Sequence, residues 1–251
     1  GNRSAPLAVR TILVDHACPP PASQLEPAQT FDSTAVRLTW NAQTAGLPIG
    51  QFHLQWRESL QPWTDIQTLI YPPEARASWF LGEIGKSYDF RLRALDSNGQ
   101  PEDWPAGDLP EISVSLPASC SPDSQEPDDV PAQANPLLPG GELLANFCPA
   151  ANPDWYALTL QASQAYLIEA QSLGGGAAAR LSLYAPDGNT LLVSAEAQDF
   201  GKPTLLHYHA ETAGVYFLKL EPLADSLAGN AAQYLLRLNN AAVTHLPLLF
   251  R

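Results

Sequence analysis

Apolar and polar positions alternate along most of this chain. In Ala35-Val36-Arg37-Leu38-Thr39-Trp40 a period of two puts Val36, Leu38 and Trp40 on one face, and Phe52, Leu54 and Trp56 repeat the pattern one strand later. Tyr88, Phe90 and Leu92 then face inward while Asp89, Arg91 and Arg93 face water, and the run ends at the turn Asp96-Ser97-Asn98-Gly99. Further strands are predicted over Ala165 to Leu173, Leu181 to Tyr184, Leu191 to Ser194, Leu205 to His209, Gly214 to Leu220 and Tyr234 to Leu238. Between the second and third of these, Pro186-Asp187-Gly188-Asn189 is a hairpin turn, since Gly188 can take a positive φ. With 24 prolines and 16 glycines spread between short runs, long helices are disfavoured and the class is all-β.

Two stretches break the alternation: Pro19-Pro20-Pro21, and the acidic, proline-rich segment from Pro117 to Pro136. They divide the chain into an N-terminal part (1–17), a first domain (18–118), a junction (119–136) and a second domain (137–251). The segment Val9 to Asp15 reads as the last strand of a preceding β-module, or as an edge strand added to the first domain. The chain has no Met and begins Gly1-Asn2-Arg3-Ser4, so it reads as a piece of a longer polypeptide whose upstream domain is the expected partner.

Composition narrows the function. A hydrophobic fraction of 45% is enough to build cores. A net charge of −13 repels phosphate backbones, which excludes nucleic acid as a partner, and gives no reason to approach anionic lipid. No apolar run approaches the roughly 20 residues that span a bilayer. Cys120 and Cys148 bracket the polar junction, which predicts a disulfide between them, worth on the order of 3–4 kcal/mol, and an oxidising compartment. Two separate buried thiols are the alternative. Cys18 stands alone and is read as structural, or as paired with a partner upstream.

Specific resemblances follow from ordered motifs. The early Trp40 and the strand Gly85-Lys86-Ser87-Tyr88-Asp89-Phe90-Arg91-Leu92-Arg93-Ala94 resemble fibronectin type III domains, in which the Tyr makes a tyrosine corner. Asp96 to Pro105, with Trp104 before the proline, resembles the ending of bacterial extracellular copies. The second domain is similar to the pre-peptidase C-terminal (PPC) domain in its opening Glu126-Pro127-Asp128-Asp129 and its Asp154-Trp155-Tyr156 strand. Leu183-Tyr184-Ala185-Pro186-Asp187-Gly188 and Gly214-Val215-Tyr216-Phe217-Leu218-Lys219-Leu220 continue the match. These resemblances imply two tandem β-sandwiches, the first immunoglobulin-like and the second jelly-roll-like. They also imply a non-catalytic accessory module of a secreted or cell-surface bacterial protein, serving spacing, targeting or attachment.

Relatives of the PPC domain that bind collagen hold Ca2+ with acidic residues of the opening segment. The resemblance therefore makes Glu126, Asp128, Asp129 and Asp154 candidate Ca2+ ligands, oxygen donors of the kind that cation takes. Asn152 stands where relatives often carry Asp, and turn-capping carboxylates are the plain alternative. His207 and His209 share a strand face and could hold zinc, but no third ligand can be named. No nucleophile elbow, zinc-protease helix or phosphate loop is present, so a hydrolase with an unfamiliar site is the least favoured reading. Trp63, Trp79 and Trp104 fall at loops or off the core parity, which makes them candidate contacts for a polysaccharide or a collagen-like matrix protein. The terminal Thr244 to Arg251 resembles a short motif of some exported bacterial proteins and hints at anchoring or sorting.

Overall fold

The computed structural model describes residues 19–44, 46–63, 68–107 and 109–241. Cys18, the segment Val9 to Asp15 and the terminal Thr244 to Arg251 lie outside the described residues. Among the described residues, no helix is long and apolar enough to cross a membrane.

The chain is all-β, as the alternation predicts. The first half contributes β1 (Ala22–Leu25), β2 (Gln29–Thr30), β3 (Ala35–Gln43), β4 (Ile49–Glu58), β5 (Thr68–Tyr71), β6 (Ala77–Leu81), β7 (Ser87–Asp96) and β8 (Ile112–Ser115). One sheet is built round β3, which pairs with β1, β2 and β6, and the other runs β5-β4-β7-β8. Val36, Leu38 and Trp40 meet Phe52, Leu54, Phe90 and Leu92 between the sheets, all of them buried. Tyr88 closes the corner by accepting the backbone N–H of Glu83 on its hydroxyl, 3.1 Å away.

The opposite face of β4 and β7 departs from expectation. Asp89 is only 5% exposed rather than facing water, and its carboxylate accepts from Arg57, Ser59 and Ser113. Arg57 pairs across the strands with Asp89, Gln55 with Arg91, and His53 with Arg93. Successive rows on one face of a strand are about 6.6 Å apart, room for a ring between them. Trp63 has the Arg57 and Arg91 guanidiniums each 4.3 Å from its centroid, and Trp104 has Arg91 at 4.6 Å and Arg93 at 4.4 Å. Cation–π stacking thus covers this polar face with two loop tryptophans.

The second half contributes β9 (Asn135–Leu137), β10 (Glu142–Asn146), β11 (Asp154–Leu160), β12 (Gln164–Ser172), β13 (Ala179–Tyr184), β14 (Leu191–Glu196), β15 (Thr204–Ala210), β16 (Gly214–Pro222) and β17 (Gln233–Asn240). They form the sheets β10-β17-β12-β15 and β14-β13-β16-β11-β9, antiparallel throughout except for the parallel pair β9–β11. Leu158, Ile168, Leu181, Leu218 and Leu236 are fully buried between them.

The two sandwiches touch directly. The corner Asp32–Ala35 of the first enters the second, where Ala35 joins the larger core and Trp79 and Leu81 pack against it. Thr34 N donates to Ala228 O (2.8 Å), Thr34 Oγ1 donates to Ser226 O (2.8 Å), and Ser33 Oγ donates to Gly175 O (2.6 Å). Glycine permits this approach: a Cβ on Gly229 would lie 2.4 Å from Ser33 Cα, and one on Gly176 would lie 2.6 Å from Ala35 Cβ. The proline-rich junction is accordingly not a free spacer. Its cysteine-bracketed part lies along the second sandwich as a strap, and the sandwiches meet through the direct contact.

Candidate metal centre

The strap is fastened at several points. Cys120 and Cys148 are joined, with their Cα atoms 6.0 Å apart, as the sequence predicts. Asp123 accepts Asn146 N on Oδ2 (2.7 Å) and Gln125 N on Oδ1 (2.8 Å). Asp128 O accepts Trp155 N from β11 (2.9 Å), and Asn135 Nδ2 reaches back to Gln125 O (2.8 Å). From there β9 joins β11 in parallel, and Pro131 comes close to Gly188 in the hairpin between β13 and β14.

These ties bring Glu126 and Asp128 of the strap to Asp154 at the start of β11. One carboxylate oxygen from each lies within 4.8 Å of the others, the one such group of three acidic, histidine or cysteine side chains among the described residues. Asp128 is 1% exposed and Asp154 is 4% exposed. Asp129 is exposed and outside this group of three. His207 and His209 are both exposed on β15 and gather no third ligand among the described residues.

Three carboxylates at this spacing repel one another, and burial raises the cost of each charge. Burial, followed by the neighbouring charges of Glu126, Asp123 and Asp129, pushes Asp128 up to about 7, against an opposing hydrogen bond from Asn135. Burial likewise holds Asp154 well above the usual carboxylate range, and raises Glu126. No lysine or arginine forms an ion pair with any of the three among the described residues.

Hydrogen bonds fix four of the six oxygens, and of the other two Asp128 Oδ1 is fully buried. Glu126 Oε1 accepts from Asn152 Nδ2, and Oε2 accepts Asp128 N (3.2 Å). Asp128 Oδ2 accepts Asn135 Nδ2 (3.0 Å), whereas Asp128 Oδ1 is buried with no hydrogen-bond partner. Asp154 Oδ2 accepts the hydroxyl of Tyr234, which accepts that of Tyr156 at 2.7 Å. The set fits a hard cation: every donor is an oxygen, the charge is uncompensated, and an orphaned buried oxygen points to a missing partner. Ca2+ takes six to eight oxygens, so backbone carbonyls or waters would complete the shell.

Asn135, Tyr156, Tyr234 and Asp123 belong to this centre and escape sequence reading. Asp123 shares the acidic segment with the candidates, which is a usable signal. The tyrosines read only as core positions, because the register that aims Tyr234 at Asp154 is set by long-range pairing.

Trp63 and Trp104 stand in the guanidinium stack on the first sandwich. Trp79 is half-buried where the sandwiches meet, 6.5 Å from Phe200 and 6.1 Å from Phe31 between ring centroids. The three do not form one platform.

No family model matches the chain, and no curated protein matches it. Solved structures similar to it include the pre-peptidase C-terminal domain of collagenase from Bacillus anthracis, at 14% identity and a TM-score of 0.35, covering 42% of this chain and 94% of that one. A two-domain fibronectin type III segment of chicken tenascin is similar at 11% identity and a TM-score of 0.27, covering 88% of this chain and 99% of that one. A carbohydrate-binding module of the β-sandwich superfamily is similar at 9% identity and a TM-score of 0.25, covering 90% and 99%.

Proposed function

We propose that this chain is a non-catalytic accessory segment of a larger secreted or cell-surface protein. In it, Ca2+ held by Glu126, Asp128 and Asp154 clamps the strap to the second sandwich and makes the tandem a stiff mount for a further domain of the same polypeptide. The observation that carries this reading is the buried Asp128 Oδ1 without a partner, set among two other carboxylates and no cation. The Cys120–Cys148 bond supports an oxidising compartment. The direct packing of the sandwiches supports a spacing and presenting role over a hinged one. Binding of a polysaccharide or a matrix protein through the tryptophans is less supported, because guanidiniums already lie over Trp63 and Trp104.

Calorimetry at pH 7.5 with and without 10 mM Ca2+ tests the proposal. A cation at about 100 times its Kd adds about 2.7 kcal/mol to the folded state, a rise in Tm of roughly 5 °C or more, reversed by chelator. An unchanged Tm in Ca2+ sinks the clamp.

A further inference from the structure

The contact between the sandwiches passes through the loop Leu227–Ala232 of the second, and that loop is held from both sides. On its front, Ala228 N donates to Thr34 Oγ1 (2.9 Å), Ala228 O accepts Thr34 N, and Ala231 N donates to Asp32 O (2.8 Å). On its back, Gly229 N donates to Phe147 O (2.9 Å), and Ala232 O accepts Phe147 N (3.0 Å). Phe147 is the residue before Cys148, and Ser121 the residue after Cys120. Ser121 N donates to Asn230 Oδ1 (2.8 Å), while Asn230 Nδ2 donates to Asp32 Oδ2 (2.7 Å). The Asn230 amide therefore bonds the strap with one atom and the first sandwich with the other.

We propose that the Cys120–Cys148 bond is a redox lock on the angle between the two sandwiches. When it is closed, Ser121, which bonds Asn230, is tied through the disulfide to Phe147, which bonds Gly229 and Ala232, and Asn230 is held across to Asp32. When it is opened, Phe147 stays in the core with its bonds to the loop, but Ser121 is tethered only through Asn146 Nδ2 to its carbonyl (3.1 Å), so the Asn230 bridge to Asp32 slackens and the first sandwich gains angular freedom. The second sandwich keeps its fold, because neither cysteine belongs to its core cluster. Opening proceeds by thiol–disulfide exchange with a dithiol reductant. Its thiolate attacks Cys120 Sγ, which is the less buried sulfur residue, breaks the S–S bond and forms a mixed disulfide. Its second thiolate then displaces Cys120. The reductant leaves as a disulfide, and the protein, having gained two electrons and two protons, carries two thiols. The lock sets in an oxidising compartment and does not depend on the cation.

The test is a distance distribution between spin labels attached by non-cysteine chemistry at the exposed Glu74 and Leu191, one on each sandwich. The oxidised protein is expected to give one narrow peak. Dithiothreitol is expected to broaden that peak while far-ultraviolet circular dichroism is retained. The Asn230→Ala variant, kept oxidised, is expected to broaden the peak as well. A reduced protein that remains folded with its peak unchanged overturns the proposal, whatever the variant does. Should reduction melt the second sandwich, the oxidised Asn230→Ala protein decides: a broadened peak supports the lock and a peak as narrow as that of the unaltered protein overturns it.

Discussion

The Gly229→Val substitution is expected to undock the first sandwich from the second. Gly229 has φ +143°, a conformation that side-chain-bearing residues rarely adopt. A Cβ there would also lie 2.4 Å from both Asp32 O and Ser33 Cα. Both are backbone atoms and cannot swing aside as a side chain would. The docking loop has to retreat, and with it go the bonds between Ala228 and Thr34 and between Ala231 and Asp32. Ser33 and Thr34 are fully buried in the contact and take up water once it opens, so each lost bond costs about 0.5–1.5 kcal/mol, added to about 1–3 kcal/mol of backbone strain. A cost on the order of 4 kcal/mol lowers Tm by roughly 10 °C, and the radius of gyration by small-angle scattering should rise. Gly85→Ala is the control: Gly85 also has a positive φ, +78°, but nothing lies within 4 Å of its Cβ position. If Gly229→Val behaves like that control in both measurements, the contact does not hold the sandwiches together.

Much of the fold was legible because burial in a sandwich obeys a local rule. Val36, Leu38 and Trp40 lie two apart, all three are buried, and Phe90 and Leu92 follow suit. The same rule placed Asp89, Arg91 and Arg93 on the correct face and misjudged what covers it. Parity says which way a side chain points, whereas the loops that bring Trp63 and Trp104 over that face leave no trace in the local pattern. The contact between sandwiches was hidden for a related reason. Asp32-Ser33-Thr34 looks like an ordinary polar turn and Gly174-Gly175-Gly176 like a low-complexity loop. Only together do they reveal a small polar wedge entering a seat without side chains. At the acidic centre the residue types were readable, but the meeting of Glu126 and Asp128 with Asp154 depends on the strap lying along β11.

The Asp128→Asn substitution is expected to stabilise the metal-free protein and to abolish its response to Ca2+, two effects of opposite sign from one atom. Asp128 titrates near 7 in the fold and has an ordinary value of 3.8. Its folded pKa is raised, so between about pH 4 and pH 7 the folded state holds a proton that the unfolded state has lost. Stability from this group therefore falls as pH rises through that window. Asparagine keeps the oxygen that accepts Asn135 Nδ2 and carries no charge, so the fall is removed. At pH 4 the two proteins should melt alike. At pH 7.5 without metal the variant should melt higher, by about 2–4 °C for a gain on the order of 1 kcal/mol. Added Ca2+ should then raise the unaltered protein above the variant, because the charge that destabilises the empty centre is the charge that binds the cation. A variant that melts lower than the unaltered protein at pH 7.5 without metal contradicts the repulsion argument. A variant that Ca2+ stabilises as much as it does the unaltered protein removes Asp128 from the ligand set.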